Sequence, residues 1–272
     1  MTQSAKAALF QSLHQSEGIL LFPNPWDGGS ARILESLGFR ALATSSSACA
    51  ATLGRRDGRI TRDEAIAHCR LIVTATDLPV AADLENGFSS DPEQVAETIR
   101  LAAAAGLVGG SIEDYTGHRE SPQYDLNHAT ERIAAAVAAV RSLPFPFTLT
   151  ARAENFSQGT HDLDDTLRRL VAYERAGADV LFAPGLPDLA AVREVCSAVR
   201  KPVNFMVGIK GKSFTVAELA AVGVKRISFA ASLYRAAISG FLAAAHEIKD
   251  TGRFNYLDTT VTTAEFNGLL RS

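Results

Sequence analysis

Eight short apolar runs, each followed by a longer stretch of helical character, occupy the chain from residue 18 to residue 248. The strand candidates are GILLF (18–22), RALAT (40–44), PVAAD (79–83), GGSIE (109–113), FTLTA (147–151), ADVLF (178–182), PVNFM (202–206) and KRISF (225–229). Helix candidates cover 28–37, 62–76, 91–105, 125–141, 162–176, 187–199, 215–222 and 230–248. Start signals stand where these helices need them: Thr61 before RDEA, Asp91-Pro92-Glu93, and Thr215 three residues before Glu218. Gly38, Gly106, Gly177 and Gly223 close helices just ahead of the next strand. Strands linked only through helices pair in parallel, and eight such units in 272 residues match a (β/α)8 barrel, the TIM barrel, in size and count. The rival is an open doubly wound sheet. It usually has fewer strands and often a Gly-rich turn after the first, whereas LFPNPWDGGSAR follows this one.

No linker divides the chain, so residues 1–272 are read as one barrel domain, with 250–272 as a C-terminal extension. That extension carries Phe254, Tyr256, Leu257, Phe266, Leu269 and Leu270, too many apolar groups for a solvated tail; it is expected to pack on the barrel or on a neighbouring subunit. A net charge of −3 and the lack of a basic run argue against nucleic acid, and no stretch has the length of a membrane span. The N-terminus resembles an amphipathic helix rather than a signal peptide. Cys49, Cys69 and Cys196 are scattered and odd in number, which suits a reducing compartment; a cytoplasmic protein is expected.

A barrel of this kind works at the C-terminal ends of its strands. There the chain places Ser45, Ser46 and Ser47, then Asp57; Asp83 and Glu85; Glu113 and Asp114; Arg152 and Glu154; and Asn204. Asp83 and Glu85, two residues apart on a strand, would face the same side, toward Glu113 on the next. Carboxylates gathered at one end of a barrel repel one another, and a hard divalent cation relieves that; oxygen-only donors suit Mg²⁺ or Mn²⁺ better than zinc. Each residue also has a plainer reading. The acids are also natural helix caps, Arg152 a partner for Glu154 or another barrel acid, and the serines residues that shape a turn. On the functional reading Arg152 grips a carboxylate or phosphonate, and the serine run donates to an anionic oxygen.

Two absences narrow the chemistry. Lysine does not occur from residue 7 to residue 200, so no lysine can form a Schiff base on strands one to six. GIKGKS (208–213) is not a Walker loop, because the position that needs the first Gly is Met206.

In FPNPWDGGSARILESLGFRALATSSSACAATLGRRDG, LPVAADLENGF, AGLVGGSIED, LTARAENF, YERAGADVLFAPGL and GVKRISFAASLYRAA, in this order, the chain resembles the isocitrate lyase/phosphoenolpyruvate mutase superfamily over about residues 18–245. The resemblance implies a (β/α)8 barrel, usually with its last helix exchanged between subunits of a dimer or tetramer. It implies a Mg²⁺-bound 2-oxo acid or its enolate. Asp83 would be the direct metal ligand, and Asp57, Glu85 and Glu113 would hold metal-bound waters. Ser45 and the backbone after it would bind the substrate carboxylate, and Arg152 its carboxylate or oxyanion.

The departures matter as much. The loop after strand four, EDYTGHRESPQYDLN, lacks the Lys-(Lys/Arg)-Cys-Gly-His of the isocitrate and methylisocitrate lyases. Against the mutases, Asp83-Leu84-Glu85 replaces Asp-x-Asp, Pro184 replaces a His, and Arg119 is the nearest counterpart of the gating-loop Lys. The resulting expectation is a Mg²⁺-dependent lyase for a small 2-oxo or 2-hydroxy dicarboxylic acid, acting by C–C cleavage or oxaloacetate-like decarboxylation. Phosphoenolpyruvate/phosphonopyruvate mutase or hydrolase chemistry is the alternative. A barrel that binds metal or ligand without catalysis is the reading from another class.

Overall fold

The computed structural model describes residues 1–270. Eight parallel strands follow the order β1-β8-β7-β6-β5-β4-β3-β2. They are β1 (Leu20–Phe22), β2 (Leu42–Ala43), β3 (Val80–Asp83), β4 (Gly109–Glu113), β5 (Thr148–Arg152), β6 (Val180–Phe182), β7 (Val203–Met206) and β8 (Arg226–Ser228). Because β1 pairs with β8, the sheet curls into a barrel and the open doubly wound alternative is excluded. The remaining seam, between β1 and β2, carries one backbone bond, Ala43 N–H to Pro23 O at 3.0 Å. Asn24 stitches it further, donating to Thr44 O at 2.8 Å and accepting from Phe229 N at 2.8 Å.

The strand period of two separates two cores. Leu42, Val80, Ala82, Ile112, Leu149, Leu181, Phe205 and Ile227 point outward and pack under the helices. Leu20, Phe22, Ala41, Ala43 and Ala81 point inward. Barrel interiors are usually filled by bulky branched side chains; here the inward residues are mostly small. The first helix, α1 (Gln3–Gln15), fills the lower part instead. Its Phe10, fully buried, stacks on Phe22 with ring centroids 5.3 Å apart. A Cβ at Gly109 would lie 2.9 Å from that ring, so glycine makes room for the plug. Gln3 and Lys6 pin α1 to carbonyls of Ala103, Leu107 and Thr76, all at the N-terminal end of the barrel. The opposite end is left to the loops.

Around the strands run α2 (Gly28–Ser36), α3 (Ser46–Thr52), α4 (Arg62–Ala75), α5 (Pro92–Ala104), α6 (Leu126–Arg141), α7 (Leu163–Ala176), α8 (Leu189–Ala198), α9 (Val216–Ala221) and α10 (Ser232–Thr251). The serine run opens α3, a helix absent from the sequence-derived set: Ser45 is its N-cap and accepts from Ala48 N at 3.3 Å. The extension forms a 3₁₀ turn (Asn255–Thr259) and α11 (Thr263–Leu269), which reaches back to α2; its last two residues lie outside the described part.

His14 on α1 donates from Nδ1 to Phe10 O and accepts at Nε2 from Arg226 (2.8 and 3.2 Å). Burial, helped by the Arg226 charge, pushes its pKa down to about 4. The unfolded chain therefore takes up a proton near pH 6.5 that the folded chain refuses until about pH 4. His14 should cost up to about 3 kcal/mol of stability across that interval. Urea unfolding at pH 7.5, 6 and 5 should show wild type losing ground to His14→Gln as pH falls; parallel pH profiles would refute the assignment.

Candidate active site

The candidate site is built around Arg152, the last residue of β5. Its Nη1 bonds Asp83 Oδ1 at 2.9 Å, and its Nη2 lies 3.2 Å from Glu113 Oε2 and 2.7 Å from Glu154 Oε1. Burial opposes its charge, but Glu154, Glu113 and Asp83 more than offset this and hold the guanidinium above its ordinary pKa. The register explains the meeting, since Glu113 and Arg152 stand side by side at the ends of β4 and β5. The face of Phe182 on β6 backs the guanidinium, 5.0 Å from ring centroid.

Asp83 ends β3. Its Oδ2 accepts from Ser46 N (3.1 Å) and Ser46 Oγ (2.8 Å), and its Oδ1 accepts from Glu85 N (3.3 Å) besides Arg152. Glu85 does not continue the strand, contrary to the reading of two acids on one strand face. It adopts a left-handed backbone, φ 48°, and reaches the site through the turn that Gly87 completes. Arg132, buried on α6, fastens that turn: it donates to the carbonyls of Asn86, Ser89 and Glu113. Sequence reasoning passed over Arg132, whose only signal was an arginine on an otherwise apolar helix face.

Five carboxyls, those of Asp57, Asp83, Glu85, Glu113 and Glu154, share the cavity with Arg152. Burial raises the Glu85 pKa to about 8, and the charges of Asp83 and Asp57 add to the effect. Glu113 is pushed well up by burial, with Glu154, Asp83 and Glu85 adding to it and Arg152 partly offsetting it. Asp57 sits on an exposed loop, yet its carboxyl lines the cavity and is raised by burial and by Asp83, while Ser47 donates to it. Asp114 faces the other way. It accepts from Tyr173 (2.6 Å), Arg169 (3.1 Å) and Glu154 N (2.8 Å), and so anchors the loop after β4.

Of the strand-end residues named from the sequence, Ser45, Ser46, Ser47, Asp57, Asp83, Glu85, Glu113, Arg152, Glu154 and Asn204 line one cavity of about 850 Å³, whereas Asp114 does not. Asn204 is committed at both ends, to Ser228 Oγ (2.9 Å) and Arg226 Nε (2.8 Å). The three thiols are raised by burial, to about 11, 12 and 11 for Cys49, Cys69 and Cys196, and remain protonated at neutral pH. Arg119 and Pro184 line the cavity too, whereas Lys212 bonds Gly185 O.

The donor set fits a hard cation. Glu85 Oε1 is buried without a hydrogen-bond partner among the described residues, and all the donors are oxygens. No three acids, histidines or cysteines among the described residues converge as a ready-made cage. Mg²⁺ does not require one, being held by one or two carboxylates with water and substrate completing its shell. Asp83 has its acceptor positions filled, so as a direct ligand it would give up one of these donors.

Fold and site together define a (β/α)8-barrel enzyme with a buried guanidinium set among acids. A family model described as phosphoenolpyruvate phosphomutase matches residues 10–249, and the chain belongs to that family, within the phosphoenolpyruvate mutase/isocitrate lyase superfamily. A protein from Burkholderia cenocepacia J2315 whose crystal structure is described as that of a lyase/mutase is 50% identical, with TM-score 0.97 over 99% of this chain and 97% of that one. A crystal structure from the same organism described as that of a phosphonomutase is 39% identical, with TM-score 0.82 over 90% of this chain and 99% of that one. The 2,3-dimethylmalate lyase of Eubacterium barkeri is 28% identical over 97% of this chain and 93% of its own.

A proton on Glu85 competes with any cation it helps to hold. Mg²⁺ should therefore raise Tm more at pH 8.5 than at pH 6, and Glu85→Gln should flatten that dependence. Without metal, a pKa raised in the fold costs stability as pH climbs from 4.5 to about 8. Metal-free Glu85→Gln should then exceed wild type at pH 8.5, and the advantage should shrink toward pH 5. A pH-independent Mg²⁺ shift would remove Glu85 from the metal site.

Proposed function

We propose that this protein is a Mg²⁺- or Mn²⁺-dependent carbon–carbon lyase for a small 2-oxo or 2-hydroxy dicarboxylic acid, acting through an enolpyruvate-type anion. The observation that carries the reading is Arg152, a buried cation braced by Asp83, Glu113 and Glu154 and facing an oxygen-lined cavity. Its bracing acids fix the guanidinium where negative charge would develop, so little reorganisation is needed in the transition state. When bound, the cation would polarise the 2-oxo group as a Lewis acid, with Asp83, Glu85, Glu113 and Asp57 as its holders. Ser45, Ser46 and Ser47 would face the substrate carboxylate from the start of α3.

Decarboxylation asks least of the chain. The C–C bond to the leaving carboxylate breaks, CO₂ departs, and its electron pair becomes the enolate, which water protonates at carbon. No thiolate or lysine is needed, in keeping with the raised cysteine pKa values and the lysine-free strands one to six. The likeness to a phosphonomutase keeps P–C bond chemistry as a second reading, with Arg119 at the cavity mouth.

The working form on this reading is a dimer or tetramer that exchanges its last helix. None of the residues of α10 is buried, and Phe241, Leu242 and Ile248 on it are exposed, as are Phe254, Leu257 and Phe266 beyond. A second copy of the chain is the occupant such a long apolar surface suits. Three unpaired thiols suit the cytoplasm.

Proton and phosphorus NMR with Mg²⁺ and separate samples of oxaloacetate, phosphonopyruvate, isocitrate, methylisocitrate and alkylmalates tests the chemistry. Enzyme-dependent pyruvate or glyoxylate is expected; phosphonate turning into phosphate ester or free phosphate would replace the lyase reading by the second one. On the responding substrate, Arg152→Lys should lower kcat/KM by about 100-fold or more, because a point charge cannot reproduce the fork. Wild-type kinetics in that variant would refute the role.

A further inference from the structure

The cavity continues below the carboxylates. It passes Phe22, Ala43, Ala81 and Thr150 and reaches Arg226 on β8. Thr150 and Arg152 stand two residues apart on β5, so both face the lumen, about 7 Å apart along the strand. Arg226 Nη2 donates to Thr150 Oγ1 at 3.0 Å. A second guanidinium therefore lies in the barrel one layer beneath the first.

The surroundings of the two are opposite. Arg152 is held by three carboxylates. Arg226, only 4% exposed, forms no ion pair with a carboxylate among the described residues. Its partners are Asn204 Oδ1 (2.8 Å), Thr150 Oγ1 (3.0 Å), His14 Nε2 (3.2 Å) and the face of Phe22. His14 is neutral, so none of them offsets the charge. Burial lowers the Arg226 pKa to about 9, which still leaves it cationic at neutral pH. A guanidinium has five N–H donors, and these bonds use three. A polar tie between α1 and the barrel needs no charge, whereas a buried unpaired charge is costly unless an anion meets it.

We propose that Arg226 is a specificity-determining residue that binds a second carboxylate of the substrate in the lower chamber, beneath the 2-oxo acid head at the level of Arg152. This rests on the reading given under Proposed function and names the residue that would hold the second carboxylate of that dicarboxylic acid. A backbone of about four to six carbons covers the spacing between the layers. The inward-facing Ala43 and Ala81 leave space for such a chain, and Asn204 orients the guanidinium from the side.

Calorimetric titration of the Mg²⁺-loaded protein near pH 7.5 tests this with two matched pairs: oxaloacetate against 2-oxobutanoate, and 2-oxoglutarate against 2-oxopentanoate. Within each pair only the distal carboxylate is lost. In at least one pair the dicarboxylate should bind ten-fold or more tightly, and Arg226→Gln should bring that ratio toward one. Arg226→Lys, which keeps the charge, should retain part of the preference. Monocarboxylates that bind as well as their partners in wild type would overturn this inference alone, whether or not the variants fold. Failure of all four acids to bind would overturn the function reading and this inference with it.

Discussion

Asp83, Glu113 and Glu154 can be buried together because Arg152 stands between them. A guanidinium is the one side chain that offers several directional donors and a permanent charge at that depth. Strand register does the placing, since Arg152 and Glu113 are neighbours across β4 and β5. One cation cannot neutralise five carboxyls, and burial together with the remaining negative charge raises the pKa values of Glu85 and Glu113. The active end is thus held in an electrostatically incomplete state that a divalent cation and an anionic substrate are suited to complete.

A ring of buried side chains outside the barrel keeps that arrangement rigid. Arg132 ties the turn after β3 to the end of β4, and Asp114, Tyr173 and Arg169 tie the end of β4 to α7. Asn24 closes the β1–β2 seam where the strands are shortest. Each is a polar group whose bonds are made to backbone or to an opposite charge, as burial demands. Glu85, a proposed holder of the metal, is one of three non-glycine residues in the left-handed region among the described residues, with Phe88 and Ala230.

Small inward residues give the barrel a lumen, and its two ends are treated differently. Phe10 from α1 plugs the lower end, while the upper end stays open among polar loops. Between plug and acids lies Arg226, on a layer that a bulkier barrel would have filled. The depth of the cavity follows from alanine and glycine at inward positions as much as from the loops above it.

The alternation of eight strand and helix segments favoured the barrel, because parallel strands need helical crossovers and eight units suit closure, and the pairing of β1 with β8 excluded the open sheet. The acids and Arg152 were legible for a related reason: charged residues ending apolar runs have few places to go except the strand ends. The lysine-free strands and the missing Cys loop also limited the chemistry before any fold was known. Other features were invisible along the chain. Ser45 caps a helix and Ser46 bonds Asp83, because α3 begins where the sequence pattern marks no helix; Glu85 reaches the site through a left-handed turn rather than along a strand. Arg132, Asn24 and Arg226 carry no motif, and their hydrogen-bond partners lie 19 to 212 residues away. Local pattern determined which side chains reach the lumen. Only the closed barrel decided which charges meet there and which one, Arg226, has no carboxylate partner among the described residues, since pairing depends on distances that sequence separation does not encode.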